Sequence, residues 1–413
     1  MAPREVMTPD ELLRRVNGLR RTDNFRNWFY LLREYLFLGL VAGLTIAFYY
    51  WLFVHKLSWL YAAPVSVLAV LLIGAGQHRL TTLAHEASHY LLFRNRLLNE
   101  LASDWFCLFP MWSTTHHYRL QHLAHHQFPN DPQRDPDVLQ MEGSGHRFPF
   151  PMSPGRFVWQ CVVKQGLWLP GLIRYIRMRA KYASTGSGSG PYSVVNPRTQ
   201  LIILAGACYT AVLAIVLAAL VVWGDLWRLA LVPAAMGCAA VLVYTLIPQR
   251  FYSSSRLKPD VSIRWTSCGR VAYITILFTA LAWLHRLTGE PWELYYLVLW
   301  LVPIGTSFAF CMIARQVVQH GNAGGDRFGN TRVFLVGRLI RWAVFPLGMD
   351  YHLPHHLFPL VPHYRLPQLH ALLLTHYPEY RRHCTIVEGY FFHRRPPEHT
   401  TVLEMMAQPQ MTR

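Results

Sequence analysis

Six stretches of this 413-residue chain are too long, too apolar and too free of charge to be packed inside a water-soluble domain. Residues 35–54 carry no charge at all, and as a helix they would reach roughly 30 Å, the depth of a bilayer's hydrocarbon. Further spans are expected at 57–76, 200–223, 229–247, 271–285 and 292–312. Pro64, inside the second, is tolerable in a membrane helix. Backbone polar groups in lipid must be satisfied internally, so the expected fold is all-α: a polytopic membrane bundle of helical hairpins.

Six spans put both termini on one side. Of the 39 Lys and Arg residues, only Lys56, Arg228 and Arg286 fall on the other side, which makes the basic side cytoplasmic. The formal charge of +17 is explained by this placement, and nucleic acid is not expected as a partner. Seven cysteines, several of them within the spans, exclude a disulfide scaffold. Residues 1–34 are too charged for a secretory signal, and Thr8-Pro9-Asp10-Glu11 opens a short amphipathic helix along the membrane surface. The membrane domain extends over 35–364, and a cytoplasmic tail over 365–413. Residues 101–112 are apolar but too short to cross, so they are re-entrant, interfacial or part of a wall. Residues 159–175 are expected to lie flat on the membrane, and the Ser/Gly run 184–190 to form a flexible linker or tight loop.

Histidines cluster just beyond the span ends. His85-Glu-Ala-Ser-His89 follows the first hairpin and places two imidazoles at i, i+4. His122-x-x-His125-His126 lies in a stretch without Gly or Pro, expected as a helix over 114–127. Its adjacent pair would diverge by about 100°, which suits two metals side by side better than one. The same five-residue pattern returns as His352-x-x-His355-His356. Imidazole suits iron, copper, zinc and nickel, so the set reads as a multi-histidine metal site. His85-Glu86-x-x-His89 alone also satisfies a zinc-protease pattern, and a histidine-lined metal carrier is a further reading. Neither uses all three boxes in these positions.

The three boxes together, with Asp350-Tyr-His-Leu-Pro-His-His-Leu-Phe-Pro359 as the third, resemble the membrane fatty acid desaturase superfamily over about Tyr35 to Tyr364. Asp350 stands where that family usually has Asn. The resemblance implies two non-haem iron ions, dioxygen, and removal of hydrogen from an unactivated C–H bond of an acyl chain of a fatty acid or lipid. Hydroxylases and ketolases of lipids or carotenoids share the ligand set and remain an alternative. No H-P-G-G haem motif is present, and His352 replaces the Gln of front-end desaturases. The electrons must therefore come from a separate ferredoxin, rubredoxin or cytochrome b5-like donor, attracted to a basic face.

Neutral imidazoles leave a metal's charge uncompensated, so acids are expected behind them: Asp131, Asp135 and Asp137 after the second box, with Glu86 and Asp350. Trp105, Phe106, Phe109 and Trp112 are candidate walls for a lipid tail. Three chain segments leave one flank of a metal pair open. Continuing the last span as helix for two turns carries His320 roughly 10 Å beyond the bilayer edge, before Gly321 breaks it. The resemblance also places a lone histidine there, so His320 is the expected ninth ligand, with Gln316 one turn earlier positioned to hold a bound water.

Overall fold

The computed structural model describes residues 7–186, 188, 190–393 and 398–409, so Ser187 and Ser189 of the expected linker lie outside the described residues, as do both extreme termini. An N-terminal helix, α1 (Pro9–Leu19), is capped by Thr8, whose hydroxyl accepts the Glu11 N–H. α2 (Arg26–Val54) and α3 (Ala62–Ser88) form the first hairpin. Next come α4 (Arg96–Ser103), continued by a π-helical turn Asp104–Leu108, then α5 (Thr115–Gln127), α6 (Pro136–Ser144) and α7 (Leu169–Arg179). α8 (Thr199–Trp223) and α9 (Leu226–Leu246) form the second hairpin, and α10 (Ile263–Thr288) with α11 (Trp292–His320) the third. α12 (His352–Leu357), α13 (Leu366–His376) and α14 (Val402–Ala407) complete the helices used below.

Six of these helices are long and apolar enough to cross a membrane, which makes this an all-helical, multi-pass membrane bundle. Leu36, Leu40 and Leu44 of α2, four residues apart and each at least 60% exposed, form a stripe that only lipid can cover. The helices outrun the apolar windows of the sequence. α3 continues past residue 76 through Gln77–Ser88, all buried, because those polar residues pack among the other segments instead of meeting water. The short window at 271–285 is the middle of a helix that starts at Ile263. α11 runs unbroken to His320, with π-helical turns at Leu297–Leu301 and Ile304–Phe308 on either side of Pro303.

α3 and α11 pack tightly. Gly74 has no room for a Cβ against Ser307, whose hydroxyl donates to Val70 O at 2.6 Å. Two buried ion pairs tie further helices together: Arg79 with Glu34 (2.6 Å) joins α3 to α2, and Arg119 with Glu100 joins α5 to α4. The segment after 364 folds back onto the same end of the bundle. α13 packs against α1 around Leu369, Leu373 and Val16, while β3 (Val333–Leu335) pairs in parallel with β4 (Ile386–Glu388). β1 (Ser193–Val194) and β2 (Ser254–Ser255) pair antiparallel.

Candidate metal centre

Nine histidines from four chain segments meet at one end of the bundle in two groups, within each of which the ligand nitrogens lie within 4.8 Å of one another. The first holds His85, His89, His122, His126 and His355; the second holds His125, His320, His352 and His356. Helix geometry explains the division. At about 100° per residue, positions i and i+4 point within ~40° of each other, while i+3 and i+4 diverge by ~100°. α5 therefore sends His122 and His126 to the first group and His125 to the second. α12 does the reverse, sending His352 and His356 to the second and His355 to the first. The end of α3 adds His85 and His89 to one group, and the end of α11 adds His320 to the other.

The contacts fit cations. Nε2 of His122 lies 2.8 Å from that of His89 and 3.0 Å from that of His126, which is 3.1 Å from that of His355. In the second group Nε2 of His352 is 3.0 Å from that of His320 and 3.2 Å from that of His356. A neutral imidazole has one N–H, so hydrogen bonds cannot satisfy all these converging nitrogens. His125 Nδ1 meets Asp135 Oδ2 at 2.9 Å, and His320 Nδ1 donates to Asn330 O at 3.1 Å, so each ring turns its Nε2 toward its group. Burial, with neighbouring histidines second, holds the rings of His89, His122, His126, His352, His355 and His356 well below their ordinary pKa, hence neutral. His125 differs: burial lowers it, but Asp135 and Asp137 outweigh burial and pull it up to about 9, making it the most basic donor of the set.

The acids around the groups have distinct roles. Asp135 also accepts the N–H groups of Asn130 and Asp137, so its carboxylate is fixed on both sides. Asp137 is held by the amides of Gln121 (2.6 Å) and Gln316 (3.1 Å). Gln316 is itself engaged by Tyr175, whose O–H donates to it at 2.5 Å. Glu86 accepts the His363 N–H at 2.8 Å and turns its other oxygen to within 3.4 Å of His85 Nδ1. Asp131 faces away, paired with Arg134 at 2.5 Å. Asp350 pairs with Arg341 at 2.8 Å, and burial pushes its carboxyl up to about 6.

Arg119 supports the site without being a histidine partner. Besides Glu100, it donates to Ser88 O (3.0 Å) and Ala87 O (2.8 Å), which locks the end of α3 to α5. Asp104 caps α5 from a distance, accepting the Thr115 N–H and O–H, each at 2.7 Å. Sequence reasoning missed both, and missed Arg179 and Arg315, which border the space between the groups. The available signal for Arg315 was an arginine continuing an apolar span. The aromatics of 105–112 pack between helices: Trp105 and Phe109 sit 5.8 Å from Tyr273, Trp112 is 6.4 Å from Phe278, and Phe106 sits 5.7 Å from Trp28. His78 Nδ1 donates to Ala343 O, and His116 and His117 contact Ser255 and Ser253, so none of the three joins a group.

Comparison with known proteins places these features in a family. The chain is 33% identical over 126 residues to the dihydrorhizobitoxine desaturase of Bradyrhizobium elkanii, a match covering 30% of this chain and 32% of that one. The chain thus matches about a third of that relative's length. The fatty acid desaturase family matches at residues 58–254 and 228–387, which takes in all nine histidines. The chain belongs to the fatty acid desaturase family.

Proposed function

We propose that this protein is a membrane oxidoreductase that holds two iron ions on its nine histidines and desaturates a saturated carbon–carbon bond. The observation that carries this reading is the division of all nine imidazoles into two adjoining groups. The reaction removes two hydrogens from –CH2–CH2–; with two electrons and two protons from an external donor, dioxygen becomes two waters. The iron pair supplies oxygen activation, because two metals can share the electrons that O–O cleavage demands.

The chain's own residues bind and orient. His85, His89, His122, His126 and His355 would hold one ion, and His125, His320, His352 and His356 the other. Asp135 keeps the proton of His125 on Nδ1, and Asn330 O keeps that of His320 there, so both present Nε2. Glu86 is a poor candidate for a zinc protease's base: the His363 N–H occupies one oxygen and the other faces His85. The basic end of the bundle is read as cytoplasmic, where a soluble electron donor would dock.

The test is metal analysis of the full-length protein with product analysis in an expressing host. Two irons per chain are expected, falling in His122→Ala and His355→Ala together with alkene formation. An alcohol or ketone product would move the reading to hydroxylation or ketolation. Two irons retained in either variant would falsify the ligand assignment.

A further inference from the structure

We propose that Arg315 and Arg179 form an anion subsite between the two histidine groups, and that it takes the carboxylate of a small, water-borne substrate. This deepens the oxidoreductase reading above and rests on it.

Arg315 is 93% buried by its 7% exposure, on α11 just before His320. Its Nε has no partner, and its nearest hydrogen-bond contact is Met312 Sδ at 3.6 Å. Among the described residues no carboxylate lies within ion-pair distance of it. Two other buried arginines near the histidines are matched: Arg119 has Glu100, and Arg332 donates to Val318, Gly321 and Asn322 carbonyls. A buried guanidinium with neither a counter-ion nor a set of carbonyl acceptors is costly, and an anion sharing its site would offset that cost. Arg179, also buried, lies over the Tyr118 ring at 5.4 Å and borders the same space.

That space is a small cavity of about 20 Å³ whose walls include His85 and His122 of one group and His125, His320 and His352 of the other. It has room for about one water-sized group. Met312 and Met349 form part of the wall and are the side chains best able to give way. A planar carboxylate matches the guanidinium fork through two oxygens and, being smaller than a tetrahedral phosphate, needs less displacement of these methionines.

A wider cleft adjoins the cavity. His125, Asp137, Gln316 and His320 also line a cleft of about 220 Å³ with Asn130, His146, Arg147 and Asn322 around it. That volume is below the ~300 Å³ where drug-sized pockets begin. The large apolar cavities lie elsewhere. One of about 470 Å³ and one of about 270 Å³ share Leu281 and Tyr296, and none of the nine histidines lines either. The space beside the metal groups is thus small, partly open to water, and walled by polar side chains together with Met141, Phe148 and Phe150. A carboxylate seated at Arg315 places the next carbons of its chain beside both groups, so the new double bond forms within a few bonds of the carboxylate.

The test is calorimetric titration of full-length, iron-loaded protein in detergent micelles with butyrate and with butanamide, its neutral isostere. Butyrate is expected to bind one per chain and at least about tenfold more tightly than butanamide, a ratio worth ~1.4 kcal/mol. Arg315→Gln should bring the two within about twofold while keeping its iron, and Arg315→Lys should restore part of the preference. Equal affinity of the wild type for both probes overturns the subsite whether or not any variant folds, as does an undiminished preference in a folded Arg315→Gln. A butyrate preference in protein that takes up no iron when loading is attempted would leave the subsite standing and sink the di-iron reading instead.

Discussion

A single hydrogen bond behind an imidazole decides which nitrogen faces the metal. Asp135 does this for His125, whereas Asp131, four residues earlier, is spent on Arg134. Asp135→Asn should therefore weaken metal affinity about 10- to 100-fold, and Asp131→Asn should leave it unchanged, as measured by competition with a chelator of known affinity. Equal affinities in the two variants would show that the His125 contact is dispensable. His117, outside both groups, gives a pH-dependent counterpart. Burial, with Arg270 adding to it, lowers its pKa to about 4, so the unfolded chain takes up the proton first as pH falls below about 6.5. The stability present above pH 6.5 is then lost progressively toward pH 4, by about 2 kcal/mol at pH 5. Thermal unfolding of wild type and His117→Gln from pH 8 to 5 should show a smaller decline in the variant.

At the scale of the elements, the site depends on how helix ends are held. α3 delivers His85 and His89 only because Gly74 lets α11 approach and because Arg119 grips the carbonyls of Ala87 and Ser88. Gly74→Val should force the two helices apart and lower both melting temperature and metal loading. Gly39→Val, on α2 with open space where a Cβ would go, is the matched control and should do neither. A Gly74→Val protein as stable and as well loaded as the control would mean that α3 and α11 can part without cost. Arg119→Gln leaves Glu100 buried and unpaired, and by the usual cost of breaking such a pair it should destabilise by about 3–5 kcal/mol.

At the scale of the molecule, the two histidine groups join segments from opposite ends of the sequence, so bound metal should act as a fastener. Chelation is expected to lower the melting temperature and metal readdition to restore it, since a ligand that binds only the folded state stabilises by mass action. A melting temperature indifferent to chelator would contradict this. A reporter fused after Arg413 should read as cytoplasmic. A periplasmic reading would invert the membrane orientation assigned from the basic residues.

Much of this was legible in the chain itself. Apolar windows without charge can lie only in lipid, and lipid forbids unsatisfied backbone, so spans and fold class follow from composition and length. The two His-x-x-His-His boxes likewise fix which imidazoles point together, because helical phase is local. Other features depended on long-range packing. Helix limits were misread at residue 76 because polar residues usually mark water, and here they mark contact with other segments. Nothing local could show that Asp135 and not Asp131 meets a ring, that Trp105 and Phe109 pack against Tyr273, or that Arg315 Nε finds no partner among the described residues. Local periodicity gives each side chain its direction, but its partner depends on where the rest of the chain comes to lie.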